Sequence, residues 1–118
     1  MMRPTPLLLL LLTPAIALGA DFPAGSYTAH GDLTIVFDAQ GMFHVTQGGK
    51  AVVNGKYQVK GDQLEMTDQG GPWACTKAGL QSGTYRWKVG DGGLTLAKLS
   101  DACKEREGTL ATSIWKQQ

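Results

Sequence analysis

The side chains that could carry chemistry in this sequence are few, and their spacing suits little of it. His30 and His44 are the only two histidines, and Asp32 is an acid that could join them around a metal ion. Zinc sites use three or four protein ligands, and a third histidine is missing. His44 also falls on the polar side of an alternating run of residues. We therefore expect no metal site, with the histidines facing solvent.

Patterns that accompany hydrolytic catalysis are missing as well. The sequence has no Gly-x-Ser-x-Gly motif and no His-x-x-x-His pair. Three acids, Asp62, Glu65 and Asp68, cluster near a predicted turn, where we interpret them as ordinary surface charges rather than as a catalytic carboxylate pair. We predict that the protein is not an enzyme.

Export is predicted by residues 1–20. They combine a short positive start, an unbroken leucine run over residues 7–12 and small residues at the end. This pattern is typical of a signal peptide cut after Gly19 or Ala20, and the apolar run is too short to span a bilayer. An uncleaved anchor is the alternative. We predict a secreted or periplasmic protein whose residues 21–118 form one domain.

The two cysteines indicate a structural bond. An even number of cysteines in an exported protein is typical of disulfide pairing, and Cys75 and Cys103 do not form a Cys-x-x-Cys redox motif. Closing a loop of this length stabilises a small fold by roughly 3 to 4 kcal/mol in the chain-entropy treatment. We predict one Cys75–Cys103 disulfide.

Charge excludes two classes of partner. The single excess positive charge of the chain comes from Arg3, so residues 21–118 are formally neutral, and they contain no block of like charge. Binding to nucleic acid would need a basic face, and binding to a membrane surface would need clustered lysine and arginine residues. Separately, no later apolar run is long enough for a membrane-spanning helix. We predict no nucleic-acid partner and no stable membrane insertion after signal cleavage.

The elements that position these residues are almost all strands. Apolar and polar residues alternate with a period of two between glycine-containing turns, so one face of each run is apolar. Eight strands are predicted, at approximately residues 26–30, 33–37, 42–46, 51–60, 64–67, 84–89, 94–96 and 110–115.

The Asn54-Gly55 pair has the composition of a hairpin turn, but the alternation runs straight through it. Val53, Gly55 and Tyr57 share one face, and a turn at Asn54 would leave an upstream strand of only about four residues. We predict one long strand with a bend or bulge at Gly55, a feature common where sheets curl into barrels.

Two stretches interrupt the strands. Residues 68–83 predict a long loop, pinned at Cys75, that could gate a pocket. Residues 100–107 are the helical candidate, with Asp101 as the N-cap and Gly108 as the glycine that ends the helix.

The strand pattern predicts an all-β fold with one short helical turn. Eight short antiparallel strands with one apolar face can close into an up-and-down barrel, which removes exposed sheet edges. A two-sheet β-sandwich is the alternative, since periodicity alone does not separate the two.

Short motifs are spread along nearly all of residues 21–118. They are Gly25-Ser26-Tyr27, Phe37…Gly41-x-Phe43, Gly55-Lys56-Tyr57, Leu64…Thr67-Asp68, Gly83-Thr84-Tyr85-x-Trp87, and Asp101-Ala102-Cys103 with Arg106. On these motifs the sequence resembles the small secreted bacterial members of the lipocalin-like, or calycin-type, barrels. The resemblance implies an antiparallel barrel with no cofactor and no catalysis, often with a small apolar ligand inside.

The sequence departs from that family at two positions. Tyr27 stands where lipocalins open with a tryptophan, and Arg106, which could take the part of the arginine that covers it, precedes the last predicted strand. We expect Arg106 to pack over aromatic residues or to pair with an acid.

The inward face of the strands would either fill the barrel or line a cavity, and with strands of about six residues filling is the expected outcome. The predicted inward residues are Tyr27, Leu33, Ile35, Phe37, Phe43, Val45, Val53, Tyr57, Val59, Leu64, Met66, Tyr85, Trp87, Val89, Leu94 and Leu96. If a ligand binds, we expect it to contact Phe43, Tyr57, Trp73, Tyr85, Trp87 and Arg106.

Three functions fit these expectations. The first is a non-enzymatic binding barrel for a small apolar molecule. The second is a protein-interaction module, such as a periplasmic protease inhibitor that inserts residues 21–25 into a protease, with a partner that the sequence does not identify. The third is a structural component of the cell envelope.

Overall fold

The alternating sequence folds as antiparallel strands, as predicted. The structure is a computed structural model that describes residues 21–118, and the predicted signal peptide lies outside them. Within that range there are eight strands and one helix: β1 Gly25–Ala29, β2 Leu33–Phe37, β3 Met42–Gln47, β4 Lys50–Lys60, β5 Gln63–Gly70, β6 Ser82–Gly90, β7 Gly93–Asp101, α1 Lys104–Leu110 and β8 Lys116–Gln117.

The eight strands form one sheet that curls into a nearly closed barrel. Each strand from β1 to β6 pairs antiparallel with the next, and β8 pairs with β1 through Tyr27 and Gln117. The remaining seam is bridged by Leu94 of β7 and Trp115, whose backbone groups exchange two hydrogen bonds of 2.8 Å. The predicted up-and-down barrel is therefore confirmed over the alternative sandwich, and its architecture is consistent with a lipocalin-like fold.

Strand β4 is continuous, as predicted, and its register shifts between Asn54 and Gly55. A Cβ atom at position 55 would lie 2.7 Å from the ring of Phe43 and would collide with the carbonyl of Thr67. Glycine is required here because the backbone of β4 passes against its neighbours at the bend.

Most of the predicted inward residues are buried in the core or packed against it, and the core also includes Leu110 and Trp115. Val89 and Val52 differ from the prediction. Val89 is 54% exposed, because β5 pairs with β6 no further than Arg86 and the end of the β6–β7 hairpin projects beyond it. Val52, predicted on the polar face, is buried because the following loop covers it: the Trp73 N–H donates to its carbonyl at 2.9 Å.

The helix and the last strand were predicted in the wrong places. The helix begins at Lys104 with Cys103 as its N-cap, and Gly108 lies inside it. Asp101 still belongs to β7, because its backbone pairs with Gly83 of β6. Residues 110–115 do not form a strand: Leu110 ends the helix, and β8 is only Lys116–Gln117.

The irregular loop is shorter than predicted, since β5 continues to Gly70 and β6 begins at Ser82. Its true extent is residues 71–81. Helix α1 is 7 residues long, about two turns. Among the described residues, no helix is both long and apolar enough to cross a membrane.

Candidate functional site

The connections of the barrel alternate between two ends. One, here called the disulfide end, carries the β1–β2 and β3–β4 turns, the 71–81 loop and helix α1. The other, the N-terminal end, carries residues 21–24 and the β2–β3, β4–β5 and β6–β7 turns.

A cavity of about 620 Å³ lies at the disulfide end, within the size range of small-molecule sites. The short strands predict an interior that is filled by side chains. The cavity shows that the disulfide end of the barrel is not filled. Strands β3, β4 and β5 provide an apolar floor, the loop provides one wall and α1 provides the other. The lining residues are Phe43, Val45, Val53, Met66, Asp68, Pro72, Trp73, Ala74, Cys75, Glu105, Arg106, Thr109 and Leu110.

The predicted disulfide is present and joins the two walls of this cavity. Cys75 in the loop is bonded to Cys103 at the start of α1, with their Cα atoms 6.4 Å apart, inside the range usual for disulfides. Cys75 also donates its backbone N–H to Asp68 Oδ2 at 2.8 Å. The loop wall is therefore fixed both to the helix and to β5.

Arg106 is the centre of a buried network that holds the cavity together. The residue is 7% exposed. Its Nε and Nη2 donate to the two carboxylate oxygens of Asp101 at 2.7 and 2.6 Å, and Nη2 also donates to the carbonyl of Leu80 at 2.8 Å. Nη1 donates to the carbonyl of Gln81 at 3.1 Å and lies 3.1 Å from Asp68 Oδ2. All three guanidinium nitrogens are thus engaged by protein oxygens, and the expected pairing with an acid is confirmed.

Asp101 is the most fully compensated acid of this network. Besides Arg106, it accepts hydrogen bonds from the Tyr85 hydroxyl and from the Cys103 backbone N–H. Although burial opposes ionisation, the hydrogen bonds from Arg106 and Tyr85 outweigh it and lower the pKa of Asp101. Burial, with the nearby Asp101 carboxylate, raises the pKa of Tyr85 well above its usual range. Asp101 is therefore a carboxylate and Tyr85 a neutral donor.

Asp68 is not the surface charge that the sequence suggested, since it is only 6% exposed. Its Oδ2 faces Cys75 and Arg106, whereas its Oδ1 is buried without a hydrogen-bond partner among the described residues. Burial outweighs the hydrogen bond from Cys75 and the charge of Arg106, so the pKa of Asp68 is raised. This carboxylate lines the cavity with unused capacity to accept a hydrogen bond.

The six residues expected to contact a ligand separate into three groups. Phe43, Trp73 and Arg106 line the cavity. Tyr85 is fully buried and binds Asp101. Tyr57 and Trp87 lie at the opposite, N-terminal end of the barrel.

An aromatic cluster closes that opposite end. The ring of Phe22 packs edge-on against Phe37 and Trp87, with centroids 4.9 and 5.5 Å apart, and lies 5.8 Å from Tyr57. The Tyr57 hydroxyl donates to the carbonyl of Asp38 at 2.6 Å. Tyr57 and Trp87 therefore belong to this aromatic cluster and do not line the cavity.

Seven lining residues were predicted neither as inward residues nor as ligand contacts: Asp68, Pro72, Ala74, Cys75, Glu105, Thr109 and Leu110. Thr109 and Leu110 were missed because the helix was predicted to end at residue 107 and a strand to begin at residue 110. Glu105 lay inside the predicted helix, but the sequence did not indicate which side of that helix faces the barrel. Asp68 was missed because its burial depends on Arg106, which is distant in sequence, and its motif offered no signal beyond the nearby Cys75.

The residues weighed as metal ligands are used in other ways. His30 Nε2 lies 3.0 Å from the carbonyl of Thr109, and His44 Nε2 lies 3.5 Å from Asp38 Oδ2. Within residues 21–118 the one group of potential ligand atoms that converges is Cys75, Cys103 and Glu105. Its two sulfurs are consumed by the disulfide and so do not offer thiolate ligands.

Comparison with known proteins adds no relative: no protein-family model, no curated protein and no solved structure matches this chain.

Proposed function

We propose that this protein is a secreted or periplasmic, non-enzymatic barrel of the lipocalin-like type that binds one small, mostly apolar molecule at its disulfide end. The observation that carries the proposal is the cavity of about 620 Å³ between the loop and helix α1. Its floor is made of Phe43, Val45, Val53 and Met66, and a few polar groups stand at one side, a combination typical of ligand sites.

Trp73 supports the same conclusion from the opposite wall. The residue is 48% exposed and lines the cavity, so part of its indole ring is available to a ligand there. An apolar molecule that covered this ring would remove it from water, which favours binding by roughly 25 cal/mol for each Å² buried. The other two tryptophans are differently placed, since Trp115 is fully buried and Trp87 packs against Phe22.

The alternative of a protease inhibitor that inserts residues 21–25 has less support. Phe22 is packed against Phe37, Tyr57 and Trp87, so insertion of this segment into a partner would first have to open the aromatic cluster. A role as a structural envelope component has no particular feature of the described chain in its favour.

Binding can be tested with N-phenyl-1-naphthylamine, a neutral apolar probe whose fluorescence rises when it leaves water. We expect saturable binding of one molecule per chain. Ala74 lines the cavity, so Ala74→Trp should fill it and weaken binding by about tenfold or more, which corresponds to about 1.4 kcal/mol. Ala78→Trp is the matched control, because Ala78 is exposed on the same loop and lies outside the lining.

The control variant should bind the probe as the wild type does. Absence of saturable binding to the wild type, or equal weakening by the two tryptophan substitutions, would contradict the proposed site. Melting curves of both variants establish that each is folded before binding is compared.

A further inference from the structure

The charged side chains that line the cavity do not balance one another, because the acids outnumber the bases. Its lining contains two acids, Asp68 and Glu105, and one base, Arg106. Arg106 is also held by Asp101 behind the wall, through hydrogen bonds of 2.7 and 2.6 Å. One guanidinium thus serves two buried carboxylates, and the exposed Glu105 adds a third negative charge at the rim.

An anionic ligand would find no free donor on Arg106. Nε, Nη1 and Nη2 each have a protein oxygen as partner, so a ligand carboxylate would have to displace Asp101, Asp68 or the carbonyls of Leu80 and Gln81. It would also lie beside the carboxylates of Asp68 and Glu105, which would repel it because they carry the same charge. Arg106 therefore stabilises the fold and does not serve as the binding group for an acidic ligand.

Asp68, unlike Arg106, has capacity for a further hydrogen bond. Its side chain is 4% exposed, and its Oδ1 has no hydrogen-bond partner among residues 21–118. A buried carboxylate oxygen that is left unpaired is costly. A ligand donor that reached this oxygen would relieve the cost, and a cationic donor would do so most, because its opposite charge also stabilises the ionised carboxylate.

The position of Asp68 is also rigid. It belongs to β5, its backbone N–H donates to the carbonyl of Gln81 at 2.8 Å, and its Oδ2 accepts from the Cys75 backbone. A preorganised acceptor beside an apolar floor recognises one end of a molecule while the floor holds the rest.

We infer that the cavity selects apolar molecules that carry an ammonium head group, with Asp68 receiving that group and the floor of Phe43, Val53 and Met66 holding the apolar body. The inference rests on the proposed binding function and specifies the ligand class. The ammonium group donates to Asp68 and brings a second positive charge to a lining that has two acids and one base.

Three probes of similar size and shape test this selectivity: 2-(1-naphthyl)ethylamine, 2-(1-naphthyl)ethanol and the anion of 1-naphthaleneacetic acid. Their affinities for the wild-type protein at neutral pH are measured by isothermal titration calorimetry. We expect the amine to bind about tenfold more tightly than the alcohol, and the carboxylate to bind at least about tenfold more weakly than the alcohol. Equal affinities of amine and alcohol, or tighter binding of the carboxylate, would overturn the inference.

A pair of isosteric variants locates the receiving group. Asp68→Asn and Asp101→Asn each remove one negative charge from Arg106, but only Asp68 lines the cavity. The preference for amine over alcohol should disappear in Asp68→Asn and persist in Asp101→Asn. If Asp68→Asn retained the preference, Asp68 would not be the receiving group; if that variant did not fold, the wild-type ranking alone would decide.

The neutral fluorescent probe separates this inference from the proposed function. Binding of N-phenyl-1-naphthylamine without any advantage for the amine would reject only the ammonium selectivity. Failure of all four probes to bind would reject the binding function itself.

Discussion

Arg106 connects helix α1 to three other parts of the chain. It lies on α1, and its partners lie on β5, in the 71–81 loop and at the end of β7. A lysine ammonium could not serve these oxygens together, because it presents one point charge rather than a planar fork of donors.

Arg106→Lys should therefore lower the free energy of unfolding by about 2 to 4 kcal/mol, since it leaves Asp101 and Asp68 partly uncompensated in a buried site. Urea unfolding provides the measurement. Arg86→Lys is the control, because Arg86 pairs with Asp62 at 3.0 Å on the surface, with side chains 53% and 60% exposed. This exposed pair should contribute less than about 1 kcal/mol, and equal losses in the two variants would argue against the network.

At the scale of the element, the bend in β4 connects backbone geometry to the cavity. Gly55 leaves room for the ring of Phe43, which forms part of the floor. A side chain at position 55 would push either this ring or the carbonyl of Thr67, so the curvature of the strand and the shape of the site depend on one residue.

Gly55→Ala is expected to destabilise the fold by about 1 to 3 kcal/mol, the usual cost of overpacking. Gly108→Ala is the opposite case, because nothing lies within 4 Å of its Cβ and the residue is inside α1. There alanine should stabilise the fold by about 0.5 to 1 kcal/mol through its better helix propensity. Melting temperatures that move in the same direction for both variants would contradict this account.

Most of the elements could be predicted from the sequence because each depends on nearby residues. The alternation of Leu33, Ile35 and Phe37 is enough for a strand, and the unbroken face through Gly55 is enough to reject a hairpin there. The helix could not be placed correctly, because its start depends on Cys103 held by Cys75 and on Asp101 held by Arg106.

The candidate site was less predictable than the strands for the same reason. Phe43 and Trp73 were identified from their residue types, but the burial of Asp68 results from contacts that form only when β5, the loop and α1 come together. Similarly, nothing local distinguishes Tyr57 at the sealed end from an aromatic residue at the open end.

At the scale of the whole molecule, all three tyrosines are held as neutral donors inside the barrel. Tyr27 donates to the carbonyl of Pro23, Tyr57 to that of Asp38, and Tyr85 to the carboxylate of Asp101. Burial raises the pKa of each above the ordinary value of 10.0. A folded-state pKa above that of the unfolded chain means stability that is complete below pH 10 and lost as the pH rises further.

Alkaline titration should therefore show tyrosinate absorbance appearing together with the loss of near-ultraviolet circular dichroism, in one cooperative step above the ordinary tyrosine pKa of about 10. Free tyrosine, titrated in parallel, provides the reference curve. Ionisation of the tyrosines near pH 10 with the native dichroism intact would show that they are not protected by the fold.

The seam of the barrel has a consequence for the order in which the chain folds. The strand that completes the cylinder is the last in sequence, and it must meet β1, the first. Such a distant contact is slow to form because the loop-closure entropy must be met before the contact contributes. By contrast, β3, β4 and β5 are neighbours along the chain. We therefore expect the pocket floor to assemble early in folding and the cylinder to close last.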